Sequence, residues 1–420
     1  MNKNAENLNL IIKNENKAIY SILSKKGREI YFPKKGLLIQ GSEAKGKDIN
    51  ATIGIALEED KSPMTLKIIS KKFNKKNIFT YASSYGKLKL REKWKEMILK
   101  KNPSLSDNIS LPVITNGLTH GISIFGYLFV ENEIIIPDPY WENYNLIFKN
   151  GYNAKIKKFP LFSDGFNIDG LEKMLNSDGD KKILLLNFPN NPTGYTLTKK
   201  EVEKIVEVIK NSAENGKKIV VASDDAYFGL VYEKGIYLES IFSKLAEIHE
   251  NVLAVKIDGV TKEDYAWGFR VGFITFGIKG GNKKLYSALA DKAAGAVRGN
   301  ISNACHLSQS LLLDAFNEPN YKNEKNENYE ILKSRYEMVK KVLKKYDNKY
   351  FNPLPFNSGY FMCLKLKGID AEKVRQKLLK KYDTGVIAIN DKLRIAFSST
   401  PLSKIEKLFE NIYLACGEIK

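Results

Sequence analysis

The stretch that decides the fold is VLAVKIDGVTKEDYAWGFRVG, which runs from Val252 to Gly272. Its first eight residues form a short apolar run, typical of a strand buried on both faces of a parallel sheet. Lys262 follows this run, eight residues before Arg270. A lysine at the carboxyl end of such a strand faces the crevice where α/β sheets bind ligands, and burial or a cationic neighbour lowers its pKa toward that of a nucleophile. The alternative is an ordinary surface charge, because the chain contains 67 lysines and arginines.

Length and composition indicate a globular protein with a large core. The chain has 420 residues, 43% of them hydrophobic and 11% aromatic, so two closely packed domains are expected. No apolar run approaches the roughly 18 residues of a membrane span, and the opening MNKNAENLNL lacks a signal-peptide core, which predicts a cytoplasmic protein. Neither a disulfide framework nor a metal site is indicated by the spacing of the cysteines and histidines, which are Cys305, Cys363, Cys416, His120, His249 and His306.

The net charge of +19 leaves nucleic-acid binding open as an alternative function. However, the lysines are spread along the chain, without a basic tail or aromatic platforms interleaved with arginine. This distribution favours a soluble protein that attracts anionic ligands such as phosphates and dicarboxylates.

A repeated alternation of strands and helices predicts an α/β fold. Short apolar runs that end in polar residues or proline alternate with helical segments up to about residue 312. This pattern predicts a mostly parallel sheet with helices on both faces. The predicted strands include EIIIPDP (133–139), KILLLNFP (182–189), KIVVASDD (218–225) and VLAVKIDG (252–259).

A smaller α+β domain is predicted from the two ends of the chain. Residues 1–75 are expected to form an N-terminal arm and part of this domain, residues 76–312 the large domain, and residues 313–420 the remainder of the small one. The C-terminal segment combines a polar helix around Tyr329 to Tyr346 with the strand-like runs NSGYFMCLKL and KLRIAFSS and the helical AEKVRQKLLKKY between them.

Polar side chains follow three successive predicted strands. Asn191 comes after KILLLNFP, Asp224 and Tyr227 come at the end of KIVVASDD, and Lys262 comes after VLAVKIDG. Taken singly, they could be a turn former, a helix cap, a core ring and a surface charge. Because the carboxyl ends of parallel strands meet at one edge of a sheet, the set together predicts one site.

The motifs NPTG (191–194), DDAY (224–227), TK (261–262) and GFRVG (268–272), in this order, resemble the pyridoxal-phosphate-dependent aminotransferases of fold type I, class I/II. The resemblance covers nearly the whole chain and implies a seven-stranded sheet in the large domain. It implies an enzyme similar to aspartate and aromatic aminotransferases, which moves an amino group from a dicarboxylic or aromatic α-amino acid to a 2-oxo acid through a pyridoxamine form of the cofactor. It also implies a homodimer with shared active sites, and no nucleic-acid, membrane or metal partner.

The resemblance assigns a role to each residue at the strand ends. Lys262 resembles the lysine that binds pyridoxal 5'-phosphate as a Schiff base and, once displaced by substrate, moves a proton. Asp224 resembles the carboxylate that keeps the pyridine nitrogen protonated, which makes the ring an electron sink. Tyr227 and Asn191 resemble the two donors to the cofactor's ring oxygen.

Further cofactor contacts are implied in the same way. Arg270 resembles the arginine that binds the cofactor phosphate, and NGLTHG places Gly117, Leu118 and Thr119 at a predicted helix N-terminus that also binds it. Trp141 in PDPYWENY resembles the aromatic ring that stacks on the pyridine, and Tyr81 resembles a tyrosine that reaches the phosphate of the neighbouring subunit. Without the resemblance, both aromatic residues read as packing residues.

Substrate contacts follow from three positions. Arg394 in KLRIAFSS resembles the arginine that binds the substrate α-carboxylate with a bidentate pair. Arg298 in AVRGNISNA resembles the arginine that reaches a distal carboxylate from the partner subunit, although an arginine on a surface loop is the simpler interpretation. Gly54 and Asn191 complete the predicted substrate contacts.

The sequence departs from the family beside the lysine. The family often has a phosphate-binding serine three residues before the lysine, where this chain has Gly259, and Thr261 is a candidate substitute. Glu263 and Asp264 follow the lysine directly, and both are expected to point away from the phosphate. Two other functions stay open at this point: β-elimination at a C–S bond on the same cofactor, and a regulatory or nucleic-acid-binding protein built on the same fold.

Overall fold

The computed structural model describes residues 3–15, 37–52, 54–70 and 80–419. Its centre is a seven-stranded sheet, whose strands are β1 Val113–Thr115, β2 Glu133–Asp138, β3 Lys155–Pro160, β4 Lys181–Asn187, β5 Lys218–Asp224, β6 Val252–Gly259 and β7 Gly272–Gly277. Their order across the sheet is β1-β7-β6-β5-β4-β2-β3. Strand β7 runs antiparallel to its neighbours β1 and β6, whereas the other pairs are parallel, so the predicted mostly parallel sheet is confirmed.

The sheet is buried on both faces because its central strands are apolar at nearly every position. In β4, Leu184 and Leu186 belong to one hydrophobic cluster and Ile183 and Leu185 belong to a second. Adjacent side chains of a strand point to opposite faces, so the two clusters lie on the two sides of the sheet. Helices cover both sides, as the alternation in the sequence predicts.

One covering helix shows why its boundaries lie where they do. Helix Lys199–Glu214 begins after Thr198, whose side chain accepts a hydrogen bond from the backbone N–H of Glu201. The Glu201 carboxylate accepts in return from the backbone N–H of Thr198, which completes a capping box. Val202, Ile205 and Ile209 then form its buried stripe.

A second, four-stranded antiparallel sheet is formed by the C-terminal part of the chain. Its strands, in the order β8-β9-β11-β10, are β8 Phe351–Pro353, β9 Phe361–Leu366, β10 Ile387–Ile389 and β11 Lys392–Ala396. The N-terminal segment joins this part of the molecule, because strand Ile49–Asn50 pairs in parallel with Thr384–Gly385. The predicted domain boundary at residues 75 and 76 lies outside the described residues.

The long helix of the C-terminal region begins at Tyr321 and ends at Leu343, so the sequence-based estimate near Tyr329 placed its start too late. The remaining helices are Lys3–Glu15, Leu37–Glu43, Lys67–Ser70, Leu88–Lys101, Leu118–Phe129, Ile168–Leu175, Phe242–Leu245, Val260–Glu263, Lys283–Ile301, His306–Phe316, Ala371–Lys381 and Ile405–Gly417. A π-helix spans Asn145–Gly151, and short 3-10 helices span Trp267–Phe269, Phe397–Ser399 and Leu402–Lys404.

Candidate active site

A pocket of about 190 Å³ lies where the carboxyl ends of β4, β5 and β6 face the second sheet. Nine of the residues singled out in the sequence line it together: Gly54, Leu118, Thr119, Trp141, Asn191, Asp224, Tyr227, Lys262 and Arg394. The other lining residues are Ile122, Asn187, Ala226 and Phe361. These nine residues come from seven separate stretches of sequence. Those that follow β4, β5 and β6 meet at one edge of the sheet, as parallel topology predicts.

Lys262 lies in the single helical turn Val260–Glu263 that follows β6. The residue is half-buried, and its amine lies 5.1 Å from the centre of the Tyr227 ring. Burial and, to a smaller extent, the positive charge of Arg270 lower the pKa of Lys262 to about 8, although Asp224 opposes the shift. A lysine with this pKa is substantially neutral near pH 8, which is the state that acts as a nucleophile or base.

Asp224 is the last residue of β5 and is 3% exposed. Its Oδ2 accepts a hydrogen bond from the Tyr144 hydroxyl at 2.5 Å, and its Oδ1 accepts one from the backbone N–H of Ala226 at 3.1 Å. Burial raises the pKa of Asp224, whereas the Tyr144 hydrogen bond and the charge of Lys262 act in the opposite direction. The carboxylate is therefore oriented by two donors and keeps a strong affinity for a positive partner in the pocket.

Two asparagines connect the ends of β4 and β5. Asn187 donates from Nδ2 to the Asp224 carbonyl at 2.8 Å, and its Oδ1 accepts from the backbone N–H of Asn191 at 2.9 Å. The turn after Asn191 contains Gly194 at φ 72°, where an added Cβ would lie 1.9 Å from the Phe361 carbonyl oxygen. Only glycine allows this close approach, so the turn packs directly on the second sheet.

Tyr227 is 4% exposed, and its ring packs edge-on against Tyr360 and Phe361 with centroid separations of 5.2 and 5.6 Å. Burial raises the pKa of Tyr227, so its hydroxyl is protonated at neutral pH. A buried, protonated phenol that lines the pocket is a hydrogen-bond donor for a ligand oxygen.

Arg394 on β11 is 4% exposed and has no carboxylate within ion-pair distance among the described residues. Its Nη1 donates to Asn191 Oδ1 at 3.2 Å and its Nη2 to the Thr52 carbonyl at 3.0 Å, while its Nε has no partner in the described part of the chain. The guanidinium lies 4.2 Å from the Phe361 ring centre. Because burying an unpaired charge is costly, this arginine provides a site for an anionic ligand.

The helix Leu118–Phe129, β6 and β7 are in backbone contact at three glycines, which are Gly117, Gly259 and Gly272. An added Cβ at Gly117, which has φ 80°, would lie 2.5 Å from Arg270 Nη2, and one at Gly272 would lie 2.7 Å from the Gly117 carbonyl carbon. This contact places the Arg270 guanidinium against the N-terminus of the helix that begins at Leu118. A helix N-terminus and a guanidinium together form an anion-binding site.

The same packing explains the glycine that departs from the family pattern. An added Cβ at Gly259 would lie 2.7 Å from both Gly272 Cα and the Val271 carbonyl oxygen, so a serine does not fit there. Thr261 is 4% exposed, and its Oγ1 has no hydrogen-bond partner among the described residues. Glu263 and Asp264 do not line the pocket, and both form ion pairs with Lys325.

Two of the residues singled out in the sequence lie apart from this pocket. Tyr81 is 89% exposed, and the exposed Arg298 donates to Ser302 Oγ at 3.1 Å. Their roles stay predictions that need a second subunit. Sequence reasoning missed Tyr144 and Asn187, although Tyr144 follows Trp141 by three residues and Asn187 ends the predicted strand KILLLN.

The described ranges contain no group of three or more histidine, cysteine, aspartate or glutamate side chains placed to hold a metal ion. None of the helices in those ranges is long and apolar enough to cross a membrane.

The sequence profile of the family described as aminotransferase class I and II matches residues 49–412. The chain belongs to this family. Members of the family use pyridoxal 5'-phosphate, and the regulatory and lyase alternatives are not favoured, since the relatives named below are described as aminotransferases.

Aminotransferases of known sequence resemble parts of the chain. The aspartate aminotransferase of Bacillus sp. (strain YM-2) is 30% identical over 191 residues, which are 45% of this chain and 44% of that protein. A Bacillus subtilis protein described as a probable N-acetyl-LL-diaminopimelate aminotransferase is 28% identical over 258 residues, or 60% of each chain. The chain thus spans about half the length of the curated relatives it matches.

Solved aminotransferase structures resemble the fold over nearly its full length. An aminotransferase from Anaerococcus prevotii superposes with a TM-score of 0.83 at 25% identity, covering 95% of this chain and 100% of that one. A kynurenine aminotransferase from Pyrococcus horikoshii superposes with a TM-score of 0.79, covering 95% of this chain and 98% of that one. At 17% identity, the second likeness shows the fold alone.

The aminotransferase cofactor fits the residues of the pocket. The pocket contains a lysine, a buried carboxylate and a protonated phenol, and an anion-binding helix N-terminus with an arginine lies beside it. These groups correspond to the aldehyde, the ring nitrogen, the ring oxygen and the phosphate of pyridoxal 5'-phosphate.

Proposed function

We propose that this protein is a pyridoxal-phosphate-dependent aminotransferase that moves an amino group from an α-amino acid to a 2-oxo acid. The observation that carries the proposal is the shared pocket of Lys262, Asp224 and Arg394, a buried arginine that has no carboxylate partner among the described residues. The lysine and the carboxylate serve the cofactor, and the arginine serves an acidic substrate. A dicarboxylic or aromatic amino acid is the proposed donor.

The cofactor is proposed to be held at its two ends. Arg270, the backbone N–H groups of Leu118 and Thr119, and the Thr119 hydroxyl bind its phosphate, while Asp224 pairs with its ring nitrogen. Tyr227 and Asn191 donate to the ring oxygen, and Trp141 stacks on the ring. When bound, the cofactor supplies an aldehyde that takes up the amino group and a protonated ring that withdraws electrons from the reacting carbon.

Lys262 is proposed to hold and move the proton. Its pKa of about 8 leaves about half of the amine neutral near pH 8, so the nitrogen can take a proton from the substrate Cα and return it to a neighbouring atom. Hydrogen bonds from Tyr144 and Ala226 favour the ionised form of the Asp224 carboxylate and oppose the rise in its pKa that burial causes. These two side chains therefore divide the work of proton transfer and charge stabilisation.

Arg394 is proposed to bind the substrate α-carboxylate. Asn191 and the Thr52 carbonyl hold the guanidinium in place over the Phe361 ring, which lines the same pocket. A bidentate pair to a planar arginine orients the amino acid for reaction. Gly54 leaves room beside this position for the substrate.

The protein is proposed to act as a cytoplasmic homodimer. Residues 1–75 are proposed to form an N-terminal arm and part of the small domain, residues 76–312 the large domain and residues 313–420 the rest of the small domain. Tyr81, which is 89% exposed, is proposed to reach the cofactor phosphate of the partner subunit. Arg298 is proposed to reach the distal carboxylate of a substrate in the partner's pocket. Comparing Arg298→Ala on dicarboxylic and apolar donors tests this role, and equal losses on both would remove it.

The proposed function is tested by locating the cofactor bond. Protein incubated with pyridoxal 5'-phosphate is reduced with borohydride, and the modified peptide is identified by mass spectrometry. We expect the label on Lys262 and its loss in Lys262→Ala, whereas Lys284→Ala, which removes an exposed lysine, keeps both label and activity. Normal amino transfer by Lys262→Ala would refute the proposal, and release of ammonia and pyruvate in place of keto-acid-dependent transfer would indicate elimination.

A further inference from the structure

Two buried acids follow the pocket lysine directly in the sequence. Glu263 is 3% exposed and Asp264 is 0% exposed, and neither lines the pocket. A buried carboxylate is costly unless it is paired and hydrogen-bonded, so two adjacent ones beside a reactive lysine need partners.

Their partners come from two helices on the far side of the turn. Glu263 Oε1 accepts from Lys101 Nζ at 2.7 Å and from Lys325 Nζ at 2.8 Å. Asp264 Oδ1 accepts from Lys325 Nζ at 3.1 Å and from the Tyr321 hydroxyl at 2.5 Å. Lys101 and Lys325 hold the pKa of Glu263 below its ordinary value despite burial. Lys325 is thus shared by both acids, and its loss leaves Asp264 without a cationic partner within ion-pair distance among the described residues.

The turn that carries Lys262 is short and consists of the four residues Val260–Glu263. The Val260 carbonyl accepts from the backbone N–H of Asp264 at 3.1 Å and from that of Ala266 at 3.3 Å, and the Tyr360 hydroxyl donates to the Lys262 carbonyl at 3.2 Å. Tyr265, two residues after the turn, has φ 54°, a left-handed conformation that is unfavourable for a tyrosine. The orientation of the turn therefore depends on the contacts of its side chains.

The helix that supplies Lys325 also contacts the segment that follows the strand of Arg394. Helix Tyr321–Leu343 carries Arg335, whose Nη1 donates at 2.6 Å to the carbonyl of Ser398, two residues beyond that strand. One helix thus bonds both to the acids that follow Lys262 and to the segment that follows the strand of Arg394.

We propose that Glu263, Asp264 and Lys325 are positioning residues, which hold the turn so that the Lys262 amine faces Asp224 and Tyr227. The proposal rests on the proposed function for the chemistry at Lys262. The two acids depart from the family pattern, and in this chain they have the role of holding the turn in place. Their effect is on geometry, since Lys262 lines the pocket and neither acid does.

The test separates binding of the cofactor from bond formation at Lys262. Full-length protein is freed of cofactor, and the dissociation constant of pyridoxamine 5'-phosphate is measured, because this compound has no aldehyde and binds without the lysine. The first-order rate of bond formation with saturating pyridoxal 5'-phosphate is then followed by visible absorbance and borohydride reduction. In this step the amine nitrogen bonds to the aldehyde carbon, and the aldehyde oxygen leaves as water.

Lys325→Met is expected to slow bond formation by about tenfold or more while pyridoxamine 5'-phosphate affinity stays within about twofold of wild type. Glu263→Gln keeps the shape of the side chain and is expected to change the rate in the same direction by a smaller factor. The matched control is Lys340→Met, which removes an exposed lysine of the same helix that pairs with Glu233 at 3.0 Å. It should change neither quantity. All measurements are made well below the unfolding temperature of each variant.

The outcomes distinguish positioning from general support of the fold. If affinity and rate fall together in Lys325→Met, or if neither changes, the positioning role is overturned. Should that variant fail to fold, Glu263→Gln decides by the same criterion. If the unsubstituted protein neither binds pyridoxamine 5'-phosphate nor forms the bond at Lys262, the proposed function fails and the inference with it.

Discussion

Replacement of Tyr144 by phenylalanine removes the shortest hydrogen bond to Asp224, the carboxylate proposed to pair with the cofactor. The Tyr144 hydroxyl lies 2.5 Å from Asp224 Oδ2, and both side chains are buried. Phenylalanine keeps the ring contacts with Trp141 and Phe148, so the change is confined to the hydroxyl. A hydrogen bond to a charged group contributes about 1.5–3 kcal/mol. If all of this acts on the reaction, kcat falls by about 10- to 100-fold.

The pH dependence has a definite sign. Burial raises the pKa of Asp224, and the Tyr144 hydrogen bond is the largest influence that opposes it, so Tyr144→Phe raises this pKa further. The acid limb of the kcat profile therefore moves to higher pH. In cofactor-free protein, a carboxyl whose folded pKa exceeds its ordinary value of 3.8 contributes stability below that value and loses it as pH rises through the folded pKa. Tyr144→Phe extends this loss.

The assay is a kcat profile from pH 5 to pH 9, at temperatures where thermal unfolding shows that each variant is folded. The matched control is Tyr140→Phe, which removes a neighbouring hydroxyl that bonds to Asn145 Oδ1 at 3.2 Å instead of Asp224. The reasoning is refuted if Tyr144→Phe lowers kcat no more than the control does and leaves the acid limb in place.

Three further predictions follow from the packing beside the pocket. In cofactor-free protein, the rate of bond formation with pyridoxal 5'-phosphate should rise with pH, with a midpoint near the Lys262 pKa of about 8. Arg270→Gln should move that midpoint to higher pH because a positive neighbour is lost. An unchanged midpoint would contradict this prediction. Gly259→Ser should lower the free energy of unfolding by about 1–3 kcal/mol, measured in urea, since its Cβ meets Gly272 Cα; equal stability would show that the backbone yields. Lys256→Met should lower the free energy of unfolding by about 3–5 kcal/mol, because it removes the cation that pairs with the buried carboxylates of Asp225 and Asp258. A variant as stable as wild type would exclude a net stabilising role for these ion pairs.

Much of the site was predictable because parallel strands collect their carboxyl ends at one edge. Asn191, Asp224 and Lys262 each follow an apolar run, and the strand order β6-β5-β4 places those three ends side by side. Arg394 was found through its strand context and the resemblance. The structure adds that the guanidinium has no carboxylate partner in the described part of the chain and bonds to Asn191.

Other features depend on residues that are far apart in the chain. Tyr144 precedes Asp224 by 80 positions, and no local pattern connects the two. Glu263 faces Lys325, 62 positions away, so the direction of its side chain was an expectation based on repulsion from a phosphate alone. Gly259 read as a departure from the family until its packing against Gly272 showed that a serine does not fit.

The sequence by itself determined the class of fold, the positions of the polar residues at the strand ends and the lysine at the centre of the proposed chemistry. These features follow from local periodicity and from the geometry that every parallel sheet shares. Only the tertiary structure decided which groups orient Asp224, why Gly259 has no side chain and how Glu263 is paired. The physical reason is that burial, close packing and charge pairing arise between distant segments, and their energies depend on separations of a few ångströms that only the folded chain defines.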